Sequence, residues 1–446
     1  MSNFLEIVKG TNISLGTATK QIDDDVYNEI RSDNFTMYVH EWSFKFGPTE
    51  AHQGKIQMCS DAQYVIDTAK SQGKKLKGHC LVWYIALPPW YSSLTIPQKQ
   101  SAMEFHVRNM VRMFKGQVYK WDVVNETIDD KTHTLRSFWT ELGGEAMIQK
   151  CFEWAHEEDP NAILVINDYA TTAGGPKADA LLDMVSRLRS AGCPIHEVGF
   201  QTHENIRWMN DAWFENMKTN WARFKKIGVT VNISELDLGA GADEAQQQAT
   251  CYYNVYKTAL ADLSLCNEVT LWEFSSKYTW LHRSPTDKSC PCPWDNNNLP
   301  QPAVQAIAKA LREIVSAIHP TPTPTPIPTP TPQSLEWVGF GCALIKAGTV
   351  YKTSNRTNTW NGPQILLQSG KHVRFQVNVI SSVNLQITMR GSDDNSTWTY
   401  QTLANNALNK VDISFTTPSN RYVQLYLEGA PIGTDFSVSD ALVSYS

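Results

Sequence analysis

Two periodicities divide the chain. Up to about residue 319, short apolar runs rich in β-branched residues alternate with stretches whose apolar side chains recur every three or four positions. The short runs fall at 6–13, 35–39, 76–82, 119–124, 162–167, 197–201, 229–234 and 268–272. Their near-continuous apolar character predicts parallel strands buried on both faces. The longer stretches, such as 60–72, 101–114, 148–157 and 178–191, predict amphipathic helices. Eight strands with helices between them predict an α/β fold of the (β/α)8 TIM-barrel type. The alternative is an open doubly wound sheet, which usually has a glycine-rich phosphate loop after its first strand. Gly10-Thr-Asn-Ile-Ser-Leu-Gly16 is a poor match to one.

Beyond residue 335 the period changes to two. Val373-Arg-Phe-Gln-Val-Asn-Val379, Leu385-Gln-Ile-Thr-Met389, Val411-Asp-Ile-Ser-Phe415 and Val423-Gln-Leu-Tyr-Leu427 alternate apolar and polar positions, with Gly, Asn, Asp and Ser between them. This pattern predicts an all-β antiparallel sandwich. Residues 320–332 alternate proline with threonine or isoleucine. Every second residue there lacks an N–H, which excludes helix and central strand. The segment predicts an extended, semi-rigid spacer rising about 3 Å per residue. The expected organisation is a barrel domain at 1–319, a Pro/Thr-rich linker at 320–334 and a β-sandwich at 335–446.

Charge and composition narrow the partners. The net charge of -6 argues against nucleic acid or an anionic membrane surface. Fifteen Trp and 16 Tyr fit a neutral polymer better, because flat rings bind sugar faces without needing charge. No apolar run approaches the roughly 18 residues of a membrane span. Met-Ser-Asn-Phe-Leu-Glu is not a signal peptide, so either a mature sequence begins here behind an added start or the protein stays inside. Nine cysteines leave at least one outside intramolecular pairing; Cys251 and Cys266 are a candidate pair. No Cys-x-x-Cys spacing for zinc is present. The sequons at Asn125 and Asn232 sit where a glycan would block the site proposed below, which points to a bacterial or archaeal source.

Two of the strand runs end in chemistry. Trp121-Asp-Val-Val-Asn125-Glu126 closes the fourth and Val231-Asn-Ile-Ser-Glu235-Leu-Asp237 the seventh. Carboxylates at the C-terminal tips of barrel strands sit where such barrels do their chemistry. Two facing one cleft are the minimum for glycosidic cleavage: a separation of about 5–5.5 Å gives retention, and about 6.5–9.5 Å gives inversion. The acid must keep its proton near neutral pH, so burial or its partner's charge must raise its pKa.

Seven motifs in order make residues 1–319 resemble the family 10 glycoside hydrolases, the retaining endo-β-1,4-xylanases. They are Glu41-x-x-x-Lys45, Gly78-His79-x-Leu-Val-Trp83, Trp121-Asp-Val-Val-Asn125-Glu126, Asn167-Asp-Tyr169, Gln201-x-His203, Ser234-Glu235-Leu-Asp237, and Trp272 with Trp280. The resemblance implies Glu126 as acid/base, Glu235 as nucleophile, Asn125 on the sugar 2-hydroxyl, and His203 on the nucleophile with Asp237 setting its tautomer. It also implies Trp83, Trp272 and Trp280 as walls of the cleaved sugar's subsite, with Glu41, Lys45, His79 and Gln201 among the binding residues. No cofactor is needed. The implied partner is xylan or a related plant cell-wall polysaccharide, met by a secreted monomer.

The chain departs from the family beside that subsite. The family usually reads Glu-Asn-x-Met-Lys-Trp where this chain has Glu41-Trp42-Ser43-Phe44-Lys45-Phe46, and Val-Trp-His-Ser-Gln where it has Val82-Trp83-Tyr84-Ile85-Ala86. Trp42, Tyr84 and Ala86 thus replace an Asn, a His and a Gln. Loss of amide partners weakens hydroxyl-specific recognition. This favours, as a second reading, a related hydrolase acting on another β-glycan or an aryl glycoside. A third reading, a non-catalytic polysaccharide-binding protein, is opposed by the presence of both glutamates.

The C-terminal segment resembles the xylan-binding modules of carbohydrate-binding family 22 and the related families 4 and 9. The resemblance rests on Arg356-Thr-Asn-Thr-Trp360-Asn-Gly-Pro363, Leu425-Tyr-Leu-Glu428 and the Thr434–Asp440 run. It implies Arg356, Trp360, Tyr426 and Glu428 as a sugar site. Such modules often hold a structural calcium, for which the chain shows no dedicated loop.

Overall fold

The computed structural model describes residues 3–241, 243–281, 290–318, 333–340, 342–359, 361–391, 397–401, 409–417 and 423–445. The chain divides into two compact units, Met1–Pro320 and Thr321–Ser446.

The first unit is a closed parallel barrel. Its strands are β1 (Ser14–Thr19), β2 (Met37–His40), β3 (Lys75–Trp83), β4 (Val118–Asn125), β5 (Ile163–Asp168), β6 (Glu197–Phe200), β8 (Thr230–Gly239) and β9 (Glu268–Leu271). A short β7 (His203–Asn205) extends the rim beside β8. Neighbours pair in sequence order, β6 pairs with β8, and β9 returns to β1, so no edge is left in the ring. Helices wrap the outside and bury their apolar stripes against the strands. The register aligns Trp83, Asn125 and Asn167 on one rung at the C-terminal ends of β3, β4 and β5.

The outer face of β3 and β4 rests on size matching. Gly78 on β3 lies opposite Trp121 on β4, one of the largest fully buried side chains. A Cβ at Gly78 would stand 2.1 Å from the indole. The glycine leaves room for Trp121, whose ring packs outward against Phe44 and Phe114.

One expected strand is wrong. Residues 6–13 do not form β1; Phe4–Val8 is a helix, capped by Asn3 through the Glu6 amide. Phe4 and Val8, one turn apart, are buried and the helix packs against the last helix of the unit, Pro302–Ile318. The real β1 reads Ser-Leu-Gly-Thr-Ala-Thr, in which Leu15 is the one large apolar side chain, yet all six residues are buried. The expected pairing of Cys251 with Cys266 is also absent. The first thiol points at the Met209 carbonyl and the second at that of Glu268.

The second unit holds two antiparallel sheets. Its strands are β10 (Gln333–Leu335), β11 (Val338–Phe340), β12 (Ala343–Ala347), β13 (Val350–Ser354), β14 (Gly362–Leu367), β15 (His372–Ile380), β16 (Gln386–Gly391), β17 (Thr397–Gln401), β18 (Asn409–Thr416), β19 (Val423–Glu428), β20 (Ser437–Ser439) and β21 (Ala441–Tyr445). One sheet runs β10-β21-β15-β20-β13-β12, with β18 beside β15; the other runs β11-β14-β19-β16-β17. Val373, Phe375, Val377 and Val379 of the first share one apolar cluster with Ile365, Ile387, Leu425 and Leu427 of the second. Strand β10 pairs with β21 from Gln333 onward, two residues before the expected start of this domain. The expected spacer at 320–332 lies outside the described residues. Among the described residues no helix is long and apolar enough to cross a membrane.

Gly78→Ala should overpack the barrel and destabilise the first unit by about 1–3 kcal/mol. Thermal unfolding of the full chain checks this: the first unit's transition falls while that of the second stays in place.

Candidate active site

Glu126 follows β4 directly and adopts φ 58°, in the left-handed region. Its amide donates to the Asn167 carbonyl (2.8 Å). Its carboxylate accepts from the Trp83 indole N–H (2.9 Å) and the Gln201 amide (3.3 Å). Burial raises the Glu126 pKa above the usual carboxylate value; the two N–H donors oppose the shift and the charge of Glu235 adds to it.

Glu235, on β8, faces different neighbours. Its Oε1 accepts from Asn167 Nδ2 (2.6 Å) and its Oε2 lies 3.3 Å from His203 Nε2. His79 Nδ1 is 3.9 Å away. Burial works against ionisation, but the charge of His79, the hydrogen bond and charge of His203, and Lys77 outweigh it and hold the carboxyl at about 2. His203 Nδ1 in turn binds Asp237 Oδ2 (2.8 Å). Burial alone would depress the imidazole; Asp237 and Glu235 lift it to about 10. One mouth therefore holds one carboxyl biased toward its protonated form and one held ionised.

Asn167 joins the two halves. Its Nδ2 also reaches Asn125 Oδ1 (2.8 Å), and its Oδ1 accepts from the Ser234 hydroxyl (2.6 Å). Gln201 Nε2 meets Asn125 Oδ1 as well (3.3 Å). A pair of carboxyls in opposite protonation states at a barrel mouth is equipped for acid-assisted displacement at an acetal carbon.

The sequence profile of glycosyl hydrolase family 10 matches residues 4–310. The chain belongs to glycosyl hydrolase family 10. Among its relatives, endo-1,4-beta-xylanase C of Phanerodontia chrysosporium is 36% identical over 305 residues, which is 66% of this chain and 75% of that protein. Endo-1,4-beta-xylanase A of the same organism is 35% identical over 316 residues, covering 69% and 76%. Among solved structures, native xylanase 10B of Thermotoga maritima superposes with a TM-score of 0.66 at 27% identity, over 71% of this chain and 99% of that one. Xylanase 10B of Thermotoga petrophila in complex with xylobiose gives 0.65 at 27% identity, over 70% and 98%.

The remaining expected residues of the family 10 barrel gather on the same rim. Trp272, directly after β9, is buried and meets His79 edge-on at 5.0 Å, while His79 binds Asp122 at 2.8 Å. Trp280 is half exposed, stands edge-on to His203 at 5.1 Å and donates to Asp237 (2.9 Å). Lys45 is buried with its ammonium 4.8 Å from the Trp42 ring and 4.3 Å from that of Trp83. Glu41 is partly buried, while Trp42 is 49% exposed. The loop that presents them is shaped by His40, whose Nδ1 accepts from the amides of Trp42 and Ser43, both at 3.0 Å. The Tyr84 ring lies 4.6 Å beneath the Arg136 guanidinium.

Sequence reasoning did not place Asn167, Asp122, Lys77, His40 or Arg136 in the site. Asn167 and Asp122 stood inside motifs already noted, as polar residues of strands that demand partners once buried. Nothing in the pattern marks Arg136, which reaches the site through loop geometry alone.

One of the expected sugar residues of the second unit looks different in place. Arg356 does not line a cleft. It is buried, and its guanidinium donates to six backbone carbonyls, those of Asn361, Pro431, Thr434, Asn358, Thr359 and Ala430, at 2.7–3.4 Å. Those donors tie loops together and are not available to a sugar. Tyr426 is buried on β19 with Arg390 5.8 Å from its ring, and Glu428 accepts from Thr388 Oγ1 (2.7 Å). Trp360 lies outside the described residues. Among the described residues no three His, Cys, Asp or Glu side chains gather where they could hold a metal ion, so a structural calcium finds no carboxylate cluster there.

His203→Ala should raise the Glu235 pKa from about 2 by removing a donor and a positive charge, and Trp83→Phe should raise that of Glu126 by removing the indole N–H. Carboxyl 13C NMR titration reads both. Unmoved titrations in the variants would contradict the assigned causes.

Proposed function

We propose that this chain is a retaining endo-β-1,4-xylanase that cleaves the xylan backbone outside the cell as a monomer, brought to the polymer by its C-terminal unit. The observation that carries the reading is the divergence of the two carboxyls, Glu126 raised and Glu235 lowered to about 2. The names of the relatives, endo-1,4-beta-xylanases, support the substrate.

In this reading Glu235 attacks the anomeric carbon as the bond to the leaving oxygen breaks, and the Glu126 proton goes to that oxygen. A covalent glycosyl–enzyme results. Glu126, now a carboxylate, takes a proton from water, which attacks the same carbon and frees Glu235. Each displacement inverts, so the product keeps the β configuration. His203, held by Asp237, keeps Glu235 ionised and oriented. Asn125 bonds the 2-hydroxyl of the sugar being cleaved, and Trp83, Trp272 and Trp280 wall its subsite, with Glu41, Lys45, His79 and Gln201 around it.

For the second unit, Tyr426 and Glu428 share the face of β19 that points away from Leu425 and Leu427, beside Thr388 and Arg390 of β16. That polar and aromatic strip supports a sandwich-type sugar-binding module. The Pro/Thr spacer at 320–334 would tether it and raise the local concentration of the barrel on the polysaccharide.

The second reading, a shifted β-glycan specificity, is favoured by one observation. Trp42 lies half exposed over Lys45 where amide chemistry is usual, and Ala86 is buried where a longer amide would reach out.

Hydrolysis of soluble xylan by wild type and Glu235→Gln tests the proposal. Wild type should release β-configured xylo-oligosaccharides, and the variant none. No xylan turnover by folded wild type, with turnover of a glucan or aryl glucoside, would replace it by the second reading. The alkaline limb of kcat/KM should follow Glu126, because activity is lost as rising pH strips its proton, while Glu235 limits activity only near pH 2.

A further inference from the structure

Glu126 is a non-glycine residue in the left-handed region, a conformation that persists only where its surroundings hold it. Its peptide is pinned at both ends. The amide donates to the Asn167 carbonyl on β5, and the Glu126 carbonyl accepts from Arg136 Nε at 3.0 Å.

Arg136 is itself fixed from several sides. Its side chain is only 11% exposed. The loop that carries it folds back on β4, with Ile128 bridged to Leu135 and the Arg136 amide donating to the Thr127 carbonyl at 2.9 Å. Its guanidinium lies 4.6 Å over the Tyr84 ring and donates to the Tyr169 hydroxyl at 3.2 Å. Asp129 and Asp130 stand 3.5 and 3.4 Å from its other nitrogens. Lys177 then braces Asp130 at 2.8 Å and Asp168 at 2.9 Å. Cation, ring and carboxylates form a connected block that reaches the Glu126 backbone through the Nε bond. A planar guanidinium can serve a carbonyl, a ring face and two carboxylates at once; an ammonium cannot.

We propose that Arg136 is a positioning residue for Glu126: clamped on Tyr84, it holds the Glu126 carbonyl and so keeps the backbone conformation that aims the carboxyl toward Trp83 and Gln201. Tyr84 then serves as the platform for Arg136 in addition to any contact it makes with sugar. The inference rests on the reading of Glu126 as the acid that protonates the leaving oxygen.

A misplaced acid harms only substrates that need its proton. The test measures kcat/KM of the full chain on phenyl and 2,4-dinitrophenyl β-xylobiosides, for wild type, Arg136→Gln and Arg136→Lys. Phenolate leaves poorly without protonation, whereas dinitrophenolate leaves unaided. General acid catalysis supplies about 10²–10⁴ in rate, so partial misalignment in Arg136→Gln should cost about tenfold or more on the phenyl substrate and less than about twofold on the dinitrophenyl one. Arg136→Lys, which keeps one donor, should fall between. An equal loss on both substrates would assign Arg136 to general folding or to substrate binding and overturn the proposal, as would no loss on either. If Arg136→Gln fails to fold, the same comparison on Arg136→Lys decides. Wild type inactive on both xylobiosides would defeat the reading of function instead, and the series would then be run on the matching cellobiosides.

Discussion

Two carboxyls of one mouth must stay in opposite protonation states, and much of the barrel rim is arranged to that end. Left to burial alone, both would rise together. The asymmetry comes from what each touches. Glu126 receives only neutral N–H donors, from Trp83 and Gln201. Glu235 sits among His79, His203 and Lys77, whose positive charge overrides the burial cost. Lys77 and His79 are themselves buried beside Asp122, and His203, partly buried, stands beside Asp237. Removal of one member would leave a buried charge uncompensated, which costs far more than the pair contributes. The polar lattice is therefore a single cooperative unit, and Asn167, which touches both Asn125 and Glu235, is its keystone.

The strands that place this lattice were legible because parallel barrel strands are buried on both faces and read as apolar runs. Seven of the eight expected runs overlap barrel strands. The eighth failed at β1, where the reason is steric. Gly16 lies so close to Met37 and Thr270 that a Cβ would stand 2.3 Å from the first and 2.5 Å from the second. A strand that must be thin carries little hydrophobic signal, and the neighbouring Phe4–Val8 helix, with larger apolar side chains, drew the assignment. Most of the expected side chains of the site gather on one rim because they sit at or just after a strand end, where sequence position fixes location; His79 and Glu235 project from within β3 and β8. Arg136 acts instead from a loop, whose conformation no periodicity encodes, and His40, the last residue of β2, acts by holding the loop that follows it.

Arg356 shows the opposite failure. The resemblance to carbohydrate-binding modules implied Arg356 as part of a sugar site. The multiplicity of its donors suits it instead to gather carbonyls, and six of them converge on it between residues 358 and 434. In a small β unit with long connections, unsatisfied loop carbonyls are a standing cost, and one arginine relieves many of them. The choice between the two roles depends on burial, which the local sequence does not carry.

The rebuilt side of the cleft follows the same physics. Asn and Gln recognise hydroxyls by direction, so their replacement by Trp42 and Ala86 exchanges directional bonds for surface. Lys45 remains, but its ammonium now lies between the faces of Trp42 and Trp83. Cation–π attraction to both rings orients that ammonium. The Trp42 ring, half exposed and anchored at its backbone by His40, offers a flat face at the outer edge of that group. A stacking platform tolerates more ring substitution than a pair of amides does, because every pyranose presents a C–H face while hydroxyl patterns differ. The catalytic lattice and its neighbour thus obey different demands: the first admits almost no change without stranding a buried charge, and in the second the half-exposed Trp42 face can change at little cost to the fold.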